Sequence, residues 1–314
     1  MKIVRDNSEV KRINYNIATI GFFDGIHLGH KKILKELVTQ AKKNTGQSIL
    51  ITFWPHPRTV LNKNTSVDLL LTEGDKHHFL EEIGVDVLYL IEFTKSFSKM
   101  TADTFIKNYL INKLHIDKLI IGYNHCFGHE REGNYEFLRK KRESYTFNIQ
   151  EVKKKEIDKS MEVSSSSIRR KIKTGVFSYV NKMLGYKFYL DGIVEKGDGI
   201  GKTIDFPTAN INSTEKNKII PGDGVYATYV NIDSKKLSGM VNIGFRPTVK
   251  GNNRRIELHI FDFNNNIYGK DLRIIFISKI RDEIKFNNIK DLKKQLQKDK
   301  IESIKLLSNE KIRN

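Results

Sequence analysis

In the first half of the chain the apolar residues fall into short unbroken blocks: INYNIATIGFF (13–23), SILITFW (48–54), VDVLYLIEF (85–93) and DKLIIGY (117–123). Blocks of this length without alternation read as strands buried on both faces. Between them the period changes. HKKILKELVTQAKKN (30–44) sets Ile33, Leu34, Leu37 and Ala41 on one helical face. EGDKHHFLEEIG (73–84) is a helix stopped by Gly84, and TADTFIKNYLINKLH (101–115) is a helix with Thr101 as N-cap and Thr104 in its first turn. Alternation of strand and helix across 13–185 predicts an α/β domain whose parallel sheet is covered on both faces.

From about Lys187 the strands are short and alternating, with turns rich in Gly, Asn and Asp: KFYLDGIVEKG, GVYATYVNI, LSGMVNIGF, RRIELHIFDF and LRIIFISKI. This is the spacing of a small antiparallel barrel or sandwich. NIKDLKKQLQKDKIESIKLL closes the chain as a helix, and GVFSYVNKMLGY (175–186) is a short connecting helix. The expected domains are 1–185, α/β, and 186–314, an antiparallel β-barrel with a terminal helix.

Length supports two domains at 314 residues, and 39% hydrophobic with 29% charged residues is a globular composition. No apolar run reaches the ~18 residues of a membrane helix. The opening MKIVRDNSEVKRINYN lacks the apolar stretch of a signal peptide, and the one cysteine, Cys126, excludes an internal disulfide framework. A cytoplasmic protein without a membrane partner is expected. The formal net charge of +18 permits nucleic-acid binding and equally suits a protein that handles polyphosphates. The charge is spread rather than gathered into a tail, and no aromatic-interleaved basic face or nucleic-acid motif is present, so no nucleic-acid partner is expected. The joint richness in Lys, Ile and Asn also reads as compositional drift.

Candidate chemistry collects at the strand ends of the first domain. GFFDGIHLGH (21–30) follows the first strand and opens the first helix, where open α/β sheets bind ligands. Gly21 and Gly25 let backbone approach a ligand, and His27 and His30 stand at a helix N-terminus that favours phosphate. Zinc is the rival reading of H-x-x-H, but no neighbouring cysteine or carboxylate cluster completes a ligand set; a purely structural pair is the other. TFWPHP (52–57) ends the second strand in a rigid turn, GYNHCFG (122–128) ends the fourth, and SSSSIRR (164–170) places hydroxyls, helix-start amides and Arg169 together as an anion site. Cys126 reads as packed rather than catalytic.

In the second domain GDGIGKTIDFPTAN (197–210) contains GKT, the tail of a P-loop. The spacing is wrong: five residues before Gly201 stands Lys196, and the available glycine is Gly197. No helix can follow directly, because Pro207 disfavours helical geometry at Phe206. The stretch still suits phosphate, in some other architecture.

The ordered set G-x-F-D-G-x-H-x-G-H, P-H-P, G-Y-N-x-x-F-G and S-S-x-x-I-R resembles the adenylyltransferase half of the bacterial bifunctional riboflavin kinase/FMN adenylyltransferases (FAD synthetases), and 197–210 resembles their riboflavin kinase signature. The resemblance runs through nearly the whole chain. It implies a Rossmann-like nucleotidyltransferase domain followed by a kinase barrel. The reactions implied are riboflavin plus ATP to FMN, then FMN plus ATP to FAD and pyrophosphate, with Mg²⁺. By the match, Gly21, Phe23, Asp24, Gly25, His27, His30 and Asn124 serve the ATP phosphates, and Ser165 and Arg169 the pyrophosphate end. Pro55, His56 and Pro57 lie on the flavin side. Gly197, Gly199, Gly201 and Lys202 form the kinase phosphate loop, while Thr208 and Asn210 hold Mg²⁺ and ATP. Arg281 and Phe286 are flavin-side elements, and Tyr226 belongs to the barrel core. A monomer or weak oligomer is expected.

The two reactions differ in need. A phosphate monoester is already mostly dianionic at neutral pH, with a second pKa near ~6, so adenylyl transfer requires no general base. The riboflavin 5′-hydroxyl does require one. In RRIELHIFDF, Glu257 and His259 share a face opposite Ile256, Leu258 and Ile260. On pattern alone Glu257 is a solvent-facing strand residue; the resemblance makes it the catalytic base. Some positions depart from the family pattern: Asn124 stands where Asp is frequent but is an accepted alternative, Ser166 for Thr is a mild change, His125 replaces an aromatic, and Asp205 replaces Gly. His125 and Asp205 leave open a chain with one weakened half.

Overall fold

The computed structural model describes residues 1–313 other than 7, 9, 62–66, 154–162, 197–200, 202–203, 216 and 249–250. The chain divides into two compact units, Met1–Ser165 and Ser166–Asn314.

The first unit is a six-stranded parallel sheet. Its strands are β1 (Lys2–Arg5), β2 (Asn16–Ile20), β3 (Gln47–Trp54), β4 (Val87–Glu92), β5 (Lys118–Gly122) and β6 (Asn148–Val152), in the spatial order β1-β4-β3-β2-β5-β6. β2 is buried at every position and β3 through its middle, as their unbroken apolar runs require. The helices are α1 (Leu28–Lys43), α2 (Pro57–Leu61), α3 (Glu73–Ile83), α4 (Ala102–Phe105) and α5 (Tyr135–Lys140). Gly84 ends α3 in the left-handed region at φ 89°, and the Thr101 side chain caps α4 by accepting from the Thr104 amide. Beyond α4 the chain winds as a π-helix, Ile106–Lys113, where α-helix was expected. The wider turn still buries Ile106, Tyr109 and Leu110 in the core, and it carries Tyr109 and Lys113 onto Asp6, at 3.0 and 2.7 Å.

Sequential strands run outward from β2 to β3 and β4, and the chain then crosses to β5 on the other side of β2. The order therefore reverses between β2 and β5. Loops leaving the carboxyl ends of two such strands diverge and leave a crevice, the usual ligand position in an open α/β sheet. Residues 21–27 leave β2 there, and residues 123–128 leave β5.

α6 (Ser165–Thr174) begins at the last residue of the first unit, and α7 (Phe177–Leu184) follows it. The second unit is a closed antiparallel barrel of β7 (Tyr189–Glu195), β8 (Ala209–Ser213), β9 (Gly224–Ile232), β10 (Lys235–Thr248), β11 (Gly251–Ile260) and β12 (Asp271–Arg281), ordered β10-β11-β8-β7-β12-β9. Closure leaves no open sheet edge. Phe177 of α7 stacks on Phe276, with ring centroids 5.1 Å apart, and the fully buried Tyr226 meets both rings edge-on, as a core residue. α8 (Ile289–Arg313) packs on the barrel through Leu292, Leu296 and Leu307. The Tyr229 hydroxyl donates to the Leu307 carbonyl at 2.8 Å.

Candidate active site

In the first unit the loop after β2 is bent by three positive φ values: Phe23 at 52°, Gly25 at 84° and Ile26 at 32°. A Cβ on Gly25 would lie 2.7 Å from Leu70 Cδ1, so both the angle and the space call for glycine. Asp24 is buried, and its carboxylate accepts the Leu70 amide at 3.0 Å and the Leu71 amide at 3.2 Å. The Ser165 hydroxyl donates to the Asp24 carbonyl at 3.0 Å. Asp24 and Ser165 thus lock the loop from two sides.

His27 is the N-cap of α1: its Nδ1 accepts the His30 amide at 3.2 Å. An imidazole that accepts at Nδ1 carries its proton at Nε2, so His27 offers a hydrogen-bond donor. The His30 ring stacks on His27 with centroids 3.6 Å apart and a 17° interplanar angle, and Phe23 lies 4.8 Å from His30 on centroids. A Cβ on Gly29 would come within 3.2 Å of the His27 ring. Phe23, His27 and His30 form one aromatic stack at the N-terminus of a 16-residue helix, where amides and dipole favour an anion. Asn124 is exposed in the turn after β5, beside this crevice. Arg169 lies on α6, one turn beyond Ser165.

A second feature of this unit is a cavity of about 470 Å³ lined by Phe53, His56, Pro57, Phe97, Phe105 and Phe127, with Cys126 and Arg131 at its wall. Pro55 follows a cis peptide after Trp54 and is not part of the lining. His125 stacks on Phe127 at 6.1 Å and 21°, and its Nε2 is buried. Burial, aided by the Arg131 charge, pushes its pKa down to about 4, so the ring is neutral near pH 7.

In the barrel, Glu257 of β11 stands opposite Asn242 of β10 and opposite Asn210 of β8. The three side chains form one lateral row across three strands, pointing to the same face. That row lines a cavity of about 300 Å³ together with Gly201, Thr208, Arg281 and Phe286. Six residues singled out in the sequence are therefore brought to one cavity. Gly197, Gly199 and Lys202 lie outside the described residues. Gly201 admits no side chain, since a Cβ would stand 2.2 Å from the Phe206 carbonyl oxygen.

The structure adds Asn242, which the sequence did not single out, and gives partners to residues that the sequence had named. His259 is buried; its Nδ1 lies 2.8 Å from the Pro207 carbonyl, which can only accept, so Nδ1 carries the proton and ties β11 to the turn before Thr208. Asn242 completes the row beside Glu257. Arg281 is held by a bidentate bond to the buried Asp299 of α8. Asp205 sits at φ 62°, a conformation in which glycine is at ease and Asp is tolerated, and its carboxylate reaches Lys293 at 2.6 Å.

The donor set suits Mg²⁺. The ion takes oxygen ligands and is commonly held by one or two protein groups plus substrate phosphates. A Thr208 hydroxyl, an Asn210 carboxamide oxygen and the Glu257 carboxylate line one cavity. Among the described residues no cluster of three His, Cys, Asp or Glu side chains forms a softer or self-sufficient metal site.

The comparisons with known proteins agree with this division. Residues 10–167 match the FAD synthetase family model, and residues 184–307 match that of riboflavin kinase. The bifunctional riboflavin kinase/FMN adenylyltransferase of Buchnera aphidicola subsp. Schizaphis graminum is 38% identical, over 98% of this chain and 99% of its own length. That of Haemophilus influenzae is 34% identical over 98% and 100%, and that of Bacillus subtilis 34% identical over 94% and 93%. A crystal structure of a Streptococcus pneumoniae protein described as a macrolide-efflux protein superposes with a TM-score of 0.85 at 28% identity, covering 95% of this chain and 97% of that one. What that likeness carries is the fold. Among the described residues here no helix is long and apolar enough to cross a membrane. With both family models matched in tandem and relatives aligned from end to end, the chain belongs to the bifunctional riboflavin kinase/FMN adenylyltransferase family, which makes FMN from riboflavin and FAD from FMN with ATP as co-substrate.

Proposed function

We propose that the two reactions use two chemically distinct sites. Riboflavin phosphorylation takes place in the barrel cavity with Glu257 as general base, and adenylyl transfer takes place at the β2/β5 crevice with His27 and His30 as donors to the ATP phosphates. The observation that carries the reading is the Asn210–Glu257–Asn242 row, which sets a carboxylate between two carboxamides on the wall of a cavity that Thr208 also lines.

In the barrel, Glu257 takes the proton of the riboflavin 5′-hydroxyl as its oxygen bonds to the γ-phosphorus of ATP. Asn242 steadies the carboxylate, and Gly197, Gly199, Gly201 and Lys202 cover the phosphates. Thr208 and Asn210 would hold Mg²⁺, which would supply charge neutralisation at the phosphate oxygens. Arg281 and Phe286 border the flavin side. His259 orients the Pro207–Thr208 turn through its bond to the Pro207 carbonyl.

At the crevice the FMN phosphate attacks the α-phosphorus of ATP, the bond to the β-phosphate oxygen breaks, and pyrophosphate leaves. The nucleophile is already ionised, so positioning and charge stabilisation do the catalysis. His27 donates through Nε2, and His30 stacks beside it. Gly21, Phe23, Asp24, Gly25 and Asn124 shape the phosphate site, and Ser165 and Arg169 receive the pyrophosphate end. The aromatic cavity that His56 and Pro57 help to line, next to Pro55 in the chain, has the volume and lining for an isoalloxazine ring. The functional portions are 1–185 and 186–314. The enzyme works in the cytoplasm as a monomer or weak oligomer, with no nucleic-acid or membrane partner.

Replacing Glu257 by Gln tests the base. The reading expects the turnover of riboflavin to FMN to fall by about 10²- to 10⁴-fold, with riboflavin binding retained; phosphorylation at the wild-type rate would sink it.

A further inference from the structure

Behind the 21–27 loop lies a buried lysine to which the chemistry above gives no role. Lys76 of α3 is 8% exposed. Its Nζ donates to the Phe22 carbonyl at 2.8 Å and stands 4.1 Å from the centroid of the Phe22 ring. That ring meets His56 edge-on, with centroids 4.1 Å apart. Leu70 and Leu71, just before α3, donate their amides to Asp24, and Thr72 caps the helix by accepting from the Asp75 amide. The α3 region therefore grips the loop at two points, Asp24 and Phe22. Between and beyond these points lie the positive φ values of Phe23, Gly25 and Ile26. Strained backbone of this kind persists only where its surroundings over-determine it.

A lysine is a poor choice here for packing alone. An apolar side chain of similar length would fill the space without removing a charge from water. Burial pushes Lys76 down to about 8, against the upward pull of Asp24 and Glu73. Strands β3 and β4 face it with Thr52, Phe53, Trp54, Leu88 and Leu90, none of which titrates. On its own helix His77 is engaged with Glu73 at 3.9 Å, and the His56 ring meets the other side of the contact at Phe22.

We propose that Lys76 is a positioning residue for adenylyl transfer, its ammonium group holding the Phe22 end of the loop that leads to His27 and, through the Phe22 ring, the His56 turn. The proposal rests on the reading of His27 and His30 as contacts to the ATP phosphates. The ammonium ion gives the carbonyl a charge-assisted hydrogen bond and the ring face a cation; the neutral amine gives neither. Deprotonation of Lys76 loosens the loop, so FAD formation from FMN falls as pH rises through about 8. FMN formation from riboflavin, carried by the other unit, does not follow that limb.

The test measures both rates in the full chain across about pH 6 to pH 10, for the wild type, Lys76→Met, Lys76→Arg and His30→Asn. Lys76→Met is expected to lower FAD formation about tenfold to hundredfold, to lose the limb near 8, and to keep the kinase rate. Lys76→Arg, charged throughout this range, is expected to restore most of the rate and hold it past the limb. A wild-type profile for FAD formation without a limb near 8, a limb that persists in Lys76→Arg, or full FAD formation in Lys76→Met would each overturn the proposal. Should Lys76→Met not fold, the wild-type and Lys76→Arg profiles decide. His30→Asn separates the two claims. If it leaves FAD formation intact, the reading of the histidine pair fails; if it abolishes FAD formation while Lys76→Met changes nothing, the positioning role alone fails.

Discussion

Arg281 donates Nε and Nη2 to the two carboxylate oxygens of Asp299, at 3.0 and 2.7 Å, tying the end of β12 to α8 beside the barrel cavity. Asp299 is 1% exposed, and Gln295 donates to it as well, at 2.8 Å. Arg281 also lies 5.9 Å from the Phe286 ring. Its guanidinium is thus committed to the fold and forms part of the cavity wall. Replacing Asp299 by Ala leaves that cation nearly buried without its partner. The expected loss is about 3 kcal/mol of barrel stability, with a raised KM for riboflavin. Urea unfolding and kinase kinetics check this; a loss below about 1 kcal/mol would place the pair among weak surface ion pairs.

His27 serves both as cap and as donor, and two substitutions separate the roles. Asn caps helices well, so His27→Asn should keep α1 stable and lose the Nε2 donor. FAD formation is then expected to fall by about 10²- to 10³-fold. His27→Ala loses the cap in addition, a further ~1 kcal/mol in thermal unfolding. Normal FAD synthesis by His27→Asn would remove His27 from the chemistry.

His125 gives the stability of the first unit a pH dependence of known sign. Burial depresses its folded pKa to about 4 from the ordinary 6.5. Between those values the unfolded chain binds a proton that the folded chain does not, so stability falls as pH drops through that window, by up to about 3 kcal/mol. His125→Phe is expected to flatten this slope and to keep FAD formation, since the ring only stacks on Phe127. Denaturation curves taken across the window check it; an unchanged slope in the variant would show that His125 does not cause it.

Much of this was legible in the chain. The unbroken apolar runs of β2 to β5 carried the parallel sheet, and Gly84 and Thr101 ended and began helices by their own chemistry; strand alternation put Glu257 and His259 on one face but read Glu257 as solvent-facing, and only the family resemblance singled it out. What stayed hidden came from long-range partners. β1 and β6 are edge strands whose short sequences, KIVR and NIQEV, carry little pattern. β8 begins inside Pro-Thr-Ala-Asn and runs on to Ser213, where the motif is more conspicuous than the strand. Asp24 finds its partners at Leu70 and Leu71, and Arg281 finds Asp299; no local periodicity announces either pairing. The His27 cap could have been read from helix-start logic, but His is a rare residue there.

Asp205 shows how a departure from a family pattern can be absorbed. At φ 62° it occupies a glycine-like conformation, and its bond to Lys293 is solvent-exposed. Asp205→Gly relieves the backbone and loses a pair that contributes about 1 kcal/mol or less, so stability should change little and riboflavin phosphorylation should persist. Asp205→Ala keeps the strained angle without the pair and should cost about 1 kcal/mol. Thermal melts and kinase assays distinguish them; loss of phosphorylation in Asp205→Gly would make the carboxylate functional.

On the proposed function, one chain holds two sites with different chemical needs, a base in the barrel and none in the crevice. This is tested most directly by one chromatographic time course of riboflavin, FMN and FAD, with ATP and Mg²⁺, for the wild type and for Glu257→Gln. The wild type should build FMN and then convert it to FAD. Glu257→Gln should produce neither from riboflavin, yet turn supplied FMN into FAD at the wild-type rate. FMN formation by Glu257→Gln, or loss of its FAD formation from supplied FMN, would contradict the account.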